Sequence, residues 1–442
     1  MRLFRLNTPY KAFIKASSFA ITLALTLTTT VYAEPQRPNF FNKTANIQLG
    51  PRPSYLIEGL PQGKLKTTLQ QCENRRFVKT DFSIGHRGAP LQFPEHTRES
   101  YEAAAKMGAG ILECDVTFTA DGELVCRHDQ CDLHTTTNII TTDLNQQCTV
   151  PWNEDNPNPS SVKCCASDIT LAQFKTLKGK IDSFNPQATT AADYLAGVPS
   201  WRTENYDSRG TLMTHKESIE LFKSLGRKFT PELKGPDRTA NLQIEDVFGS
   251  QENYAQKMLD EYREAGVSPK NVYPQSFNLN DILYWIENEP EFAQQAVFLD
   301  GRYATGINPN DASTFNPTMD ELVKQGIKII APPIFMLLAV ENNGEIVPSV
   351  YAREAKKAGL DIITWSLERS DIRQGSRRGT DAQGNILADF YYQFDINPEI
   401  QTVNSDGDLY RVVDVLAQDV GVIGIFSDWP ATVTYYANCM KL

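Results

Sequence analysis

Within residues 85–129 the chain reads Gly85-His86-Arg87-Gly88, Pro94-Glu95-His96-Thr97, Glu113-Cys114-Asp115 and His128-Asp129, in a protein with only five histidines. Glu113 and Asp115 are spaced i, i+2 inside the apolar run Ile111–Val116. If that run is a strand, both carboxylates share one face. Paired acids there require a cation or a polar site to offset desolvation and mutual repulsion. Carboxylate oxygens suit Ca²⁺ or Mg²⁺, and the planar fork of Arg87 suits a phosphate. His86 and His128 add two imidazoles for proton transfer. Metal-assisted hydrolysis of a phosphate ester is the chemistry that needs this set.

Further along, Thr230-Pro231-Glu232-Leu233-Lys234 offers a third carboxylate, with Lys234 on the same face as Glu232. Taken singly, Arg87 reads as a structural ion pair and Glu232–Lys234 as a salt bridge. Two histidines flanking a carboxylate pair shift the balance toward a site. Trp365 fits either core packing or an apolar wall for a glycerol-like group. Asp428, in Asp428-Trp429-Pro430, reads as structural or as orienting another site residue. His96, His134 and His215 lie off these motifs and read as surface or loop histidines.

The elements that must position these groups follow from pattern. Near-continuous apolar runs at Phe82–His86, Gly110–Phe118, Lys228–Leu233, Asn271–Phe277, Ala296–Asp300, Ile327–Ile334, Asp361–Leu367 and Val422–Ser427 read as strands buried on both faces. Helical patterns lie between most of them: Arg98–Met107, His215–Ser224, Glu252–Ala265, Asn280–Asn288, Met319–Lys324, Val350–Ala358 and Leu409–Gln418. Gly108, Gly226, Gly266, Gly326 and Gly359 mark helix ends. Eight strands alternating with helices predict an α/β fold, a (β/α)₈ TIM barrel over 77–437. No Gly-rich dinucleotide fingerprint supports an open doubly wound sheet. In a barrel, the polar strand ends converge on one mouth. Residues 130–210, rich in Asn, Pro, Ser and Thr, form an insertion after the second strand region. It reads equally as a cap over the mouth or as a surface excursion. Residues 34–76, rich in Pro, Gln and Lys, read as an extended leader.

Residues 1–33 have the pattern of a signal peptide: Arg2, Arg5, Lys11 and Lys15, an apolar stretch, then Val31-Tyr32-Ala33. The stretch is too short and too rich in Thr to prefer spanning a bilayer. Removing those four basic residues, with no acids lost, takes the formal charge from −11 to −15. Such a balance disfavours nucleic acid and gives no basic patch for an anionic membrane. All eight cysteines lie beyond residue 33. An even count in an exported chain favours disulfides over zinc, and no Cys-x-x-Cys pair occurs. The pairing is open, except that adjacent Cys164 and Cys165 should have different partners.

Together these residues resemble the glycerophosphodiester phosphodiesterase family, specifically its exported bacterial members. The resemblance rests on His86-Arg87-Gly88, Pro94-Glu95-x-Thr97, Glu113-x-Asp115-Val116, Asp121-Gly122 and His128-Asp129. Glu232-Leu233-Lys234, Gln275-Ser276-Phe277, Trp365 and Ser427-Asp428-x-Pro430 extend it. It implies a barrel holding one divalent cation, Ca²⁺ or Mg²⁺, through Glu113, Asp115 and Glu232, with His86 and His128 as the acid–base pair. Arg87 and Lys234 would hold the phosphate, with Glu95 and Trp365 also facing substrate. The implied reaction releases an alcohol and sn-glycerol 3-phosphate from small glycerophosphodiesters, outside the cytoplasm, in the periplasm or secreted, without membrane insertion. Alternatives on the same fold are a lysophospholipase D or phosphoinositide phospholipase activity, or a non-catalytic binding protein. The family usually has Asn where His96 stands, so that position is tolerant or adds a polar contact near the site.

Overall fold

The computed structural model describes residues 46–442 apart from 200, 371, 373–389, 393, 395–401 and 404. The expected signal peptide, residues 1–33, and the first part of the leader lie outside the described residues. Eight parallel strands make the barrel: β1 (Thr80–Gly85), β2 (Ala109–Phe118), β3 (Lys228–Leu233), β4 (Gln275–Ser276), β5 (Val297–Leu299), β6 (Ile329–Ala331), β7 (Asp361–Leu367) and β8 (Gly424–Ser427). Each pairs with its sequence neighbour. The ring closes where β1 pairs with β8 (Ser83 beside Ile425) and with β2 (Ile84 beside Ile111). This is the (β/α)₈ barrel that the sequence predicts.

Parallel strands are buried on both faces, which is why their sequences are apolar without clean alternation. Ile84, Ile111, Val297, Leu299, Ile329, Ile363 and Phe426 fill the barrel interior. A second, larger layer packs between strands and helices, including Leu112, Phe229, Ile330 and Ile362. Outer helices begin on side-chain caps, such as Thr97 for Arg98–Lys106 and Thr214 for His215–Leu225. The latter stops at Gly226, whose φ of 66° is the left-handed conformation that ends helices. Several strands are shorter than expected, two of them markedly. Only Gln275–Ser276 and Ile329–Ala331 hydrogen-bond as strand, because flanking Pro274 and Pro332 have no N–H to donate.

A short strand, Leu124–Cys126, folds back antiparallel on the end of β2 after a turn at Gly122. The insertion follows directly. It has its own core, containing Leu133, Ile139, Trp152, Phe174 and Tyr194, and two disulfides, Cys131–Cys165 and Cys148–Cys164. Adjacent Cys164 and Cys165 indeed take different partners. Cys114–Cys126 ties the hairpin to β2.

The extended leader is corrected from residue 52 onward. Arg52–Glu58 and Lys64–Cys72 are helices that bury Leu56, Ile57, Leu60 and Leu69 in the main core. Composition obscured this apolar pattern, which gains its purpose only against the C-terminal helix Pro430–Met440. There the Tyr435 hydroxyl donates to Leu69 O (2.7 Å), and Cys72 bonds Cys439 across 367 residues of sequence. Removing that bond with Cys72→Ser/Cys439→Ser is expected to cost roughly 2–5 kcal/mol of stability. A urea unfolding midpoint equal to that of the unaltered protein would show that helix packing alone fixes the N-terminal segment.

Candidate active site

The end of β1 begins the site. After Gly85 the chain turns through Arg87 (φ 52°) and Gly88 (φ 96°). A Cβ on Gly88 would lie 2.3 Å from Ser100 Oγ, so only glycine fits. The turn aims the Arg87 backbone N–H at Glu113 Oε2 (2.8 Å), while its side chain donates to Glu95 Oε2 (3.0 Å). On β2, Glu113 and Asp115 share the inward face, and Cys114 between them lies in the outer core. Just past the end of β3, Lys234 donates to Glu232 Oε1 (2.6 Å).

His86 Nδ1 lies 2.6 Å from Asp428 Oδ1. Burial works to raise the Asp428 carboxyl, but Arg369 and His86 hold it below its ordinary range. Burial, with Arg87 nearby, lowers His86 below the usual imidazole range against the pull of Asp428. The ring is therefore neutral at pH 7, with Nδ1–H donated to Asp428 and Nε2 unprotonated, 3.4 Å from the Ser366 hydroxyl. Nε2 lies 3.9 Å from Glu113 Oε2. His128 makes no hydrogen bond to a described residue. Burial, then Arg87 and Lys234, push it well below the imidazole range.

Glu113, Asp115 and Glu232 each offer a carboxylate oxygen, all within 4.8 Å of one another and buried. At an effective dielectric of about 20, two unit charges that far apart repel by roughly 3 kcal/mol. Without a cation, burial and this repulsion work against holding all three ionised. Burial, then Asp115 and Glu232, drive Glu113 well above the carboxylate range. Burial pushes Glu232 to about 7 in spite of Lys234. Asp115 stays ionised despite burial, held low by Lys234 and His96. Its Oδ1 is buried with no hydrogen-bond partner. A partnerless buried oxygen beside two proton-retaining carboxyls fits a hard divalent cation.

His96 is corrected from a surface histidine to a fully buried one. Nε2 lies 3.0 Å from Asp115 Oδ2 and Nδ1 lies 2.8 Å from the Tyr101 hydroxyl. Anionic Asp115 only accepts, so Nε2 donates and Tyr101 donates to Nδ1. Oδ2 is thereby occupied and Oδ1 is left open to a cation. His96→Ala is expected to weaken divalent-cation binding by about 10- to 100-fold. Calorimetric titration checks this, and an unchanged Kd would remove His96 from the ligand-orienting role. His215 is likewise buried, against Glu261 Oε2 (2.8 Å), and His134 is half-buried on the short helix Leu133–Thr136. Both are structural, tied down by packing that their local sequence does not reveal.

His86, Arg87, Glu95, Glu113, His128, Glu232 and Trp365 line one cavity of about 340 Å³. Asp115 and Lys234 are not among the lining residues. Trp365 donates Nε1–H to Ala331 O (2.7 Å) and presents its ring beside Phe277 and Tyr391. Sequence reasoning missed Arg369, from the loop after β7, and the insertion's Asp132, Thr135, Thr136 and Asp182, all on the same cavity. The insertion is thus a cap on the mouth.

The sequence profile of the glycerophosphoryl diester phosphodiesterase family matches residues 86–432. An extracellular protein of Arthroderma benhamiae is 46% identical over 263 residues, 59% of this chain and all of that protein. The glycerophosphodiester phosphodiesterase of Haemophilus influenzae is 24% identical over 395 residues, covering 83% of this chain and 93% of its own length. Among solved structures, a Silicibacter pomeroyi protein described as a glycerophosphoryl diester phosphodiesterase superposes with a TM-score of 0.50. It is 16% identical and covers 84% of this chain and 98% of its own. That likeness supports the barrel. Relatives on both the fungal and bacterial sides leave the expected bacterial subtype without support.

Proposed function

The chain belongs to the glycerophosphoryl diester phosphodiesterase family and is an enzyme of that class, and we propose that it hydrolyses small glycerophosphodiesters by acid–base catalysis between His86 and His128. The products are an alcohol and sn-glycerol 3-phosphate. The observation that carries this reading is the His86–Asp428 bond (2.6 Å), which leaves Nε2 unprotonated and able to accept a proton in the cavity that His128 also lines. In the proposed sequence His86 Nε2 takes a proton from the attacking water, or first from the substrate's own glycerol hydroxyl. The new P–O bond forms as the opposite P–O bond breaks, and the departing alkoxide takes its proton from His128. Burial beside the cations Arg87 and Lys234 keeps His128 neutral in the free protein. An anionic phosphate placed beside it favours the protonated acid form.

Arg87 is the phosphate-orienting cation, with Glu95 fixing its guanidinium, and Trp365 walls the glycerol side. Lys234 is absent from the lining, so in place of the phosphate contact expected of it, it balances the charge of Glu232 and Asp115. Glu113, Asp115 and Glu232 would hold one Ca²⁺ or Mg²⁺, which supplies charge neutralisation for the phosphoryl oxygens. Four disulfides and the extracellular relative support an exported protein, secreted or periplasmic. No helix among the described residues is long and apolar enough to cross a membrane.

The deciding assay incubates the purified protein with glycerophosphocholine and, separately, with lysophosphatidylcholine, and measures glycerol 3-phosphate and choline release. Release of glycerol 3-phosphate from the first is expected. Choline release confined to the second would move the function to a lysophospholipase D. No turnover of either would leave the non-catalytic alternative.

A further inference from the structure

We propose that the insertion does more than cover the mouth: its Asp182 and Arg202, acting with Arg369, are positioning residues that fix Asp428 and through it the base His86. The inference rests on the acid–base reading above.

Asp428 is fully buried, and its two oxygens have separate duties. Oδ1 receives His86 Nδ1–H, whereas Oδ2 faces Arg369 NH1 (3.2 Å) and Arg202 NH2 (3.5 Å). The carboxylate cannot rotate without giving up one set or the other. Both arginines are then held from the insertion side by a single residue. Asp182 Oδ2 accepts from Arg369 NH2 (2.7 Å), and Asp182 Oδ1 pairs with Arg202 NH1. Arg369 NH2 also lies 3.4 Å from Glu95 Oε2, the oxygen that holds Arg87. One chain of contacts thus runs from the insertion to both catalytic-side groups, His86 and Arg87.

Charge supports the same assignment. Glu95, Asp182 and Asp428 face Arg87, Arg202 and Arg369, three acids against three permanent cations. The Arg202 side chain is only 3% exposed and that of Arg369 15%. Buried charges of this kind persist only when each is paired, and removing one strands its partners. A latch whose task was only to hold a cap could end on any surface acid. This one ends on the unused oxygen of the carboxylate that orients the base. The insertion has a core and two disulfides of its own to stay folded, so the buried arginine is not needed to make it a compact body.

The test uses the full exported chain with its disulfides intact and compares Arg202→Ala, Arg202→Lys and Asp182→Asn. Two readouts are taken: kcat and KM on glycerophosphocholine, and the downfield proton resonance of the His86–Asp428 hydrogen bond, assigned by its loss in His86→Ala. Arg202→Ala is expected to lower kcat by about 10- to 100-fold with KM nearly unchanged, as a misplaced catalytic group does. The resonance should shift or broaden, Arg202→Lys should recover part of both, and Asp182→Asn should fall between. An unmoved resonance with unmoved kcat overturns the proposal. So does a loss seen in KM alone, or a kcat loss that tracks faster proteolysis within the insertion and is not recovered by lysine. The resonance needs no turnover, so failure of the proposed reaction and failure of this positioning role are seen separately.

Discussion

His86→Ala is expected to lower kcat on glycerophosphocholine by about two to four orders of magnitude, with His128→Ala falling in the same range. Neither change should unfold the protein. Asp428 keeps Arg369 and Arg202 when His86 is removed, and His128 has no hydrogen bond to a described residue to lose. The two variants should differ in one respect that separates their roles. A glycerophosphodiester with a nitrophenolate leaving group departs without help from an acid. Its hydrolysis should recover much of the loss in His128→Ala and little of the loss in His86→Ala. Steady-state rates on the two substrates measure this. Equal recovery in both variants, or near-normal turnover in either on glycerophosphocholine, would contradict the assignment of base to His86 and acid to His128.

The two histidines were legible because local sequence carries their context. The i, i+2 parity of Glu113 and Asp115 survives folding because strand geometry imposes it, and Lys234, one residue past the end of β3, still reaches Glu232. The predicted strands Lys228–Leu233 and Asp361–Leu367 agree to the residue with β3 and β7. What escaped the sequence depends on partners far away. His96 sits 19 residues before Asp115, and only the replaced residue in Glu95-His96-Thr97 hinted at a role. Arg369 and Asp182 are 187 positions apart, and neither lies in a recognisable motif. They become site residues because the insertion folds over the mouth. Cysteine pairing was hidden for the same reason, and even Cys114–Cys126 shows itself only in the folded hairpin. Once β2 and Leu124–Cys126 are an antiparallel hairpin, Val116 stands opposite Cys126 and Cys114 lies on the same outward face.

Exhaustive removal of divalent cations is expected to abolish turnover, with Ca²⁺ or Mg²⁺ restoring it. A second signature follows from the same three carboxylates and needs no substrate. A ligand bound only by the folded state at 100 times its Kd adds about 2.7 kcal/mol of stability. The thermal midpoint should therefore rise when the ion is returned, and Glu113→Gln should cancel the rise. That variant should cost the metal-free protein little, because Glu113 there is already driven toward its neutral form. The pH dependence has a defined sign. Glu232 moves from an ordinary 4.5 to about 7 on folding, so between those values the folded state holds more protons than the unfolded one. Stability contributed by this proton is present below the lower value and is lost as pH rises through the upper. Metal-free protein should lose stability across that window, and metal-bound protein should not, because the cation takes the place of the proton. Differential scanning calorimetry with and without EDTA at several pH values resolves the two curves. Coincident curves, together with turnover that survives chelation, would sink the three-carboxylate metal site and leave Arg87 as the principal charge facing the phosphate.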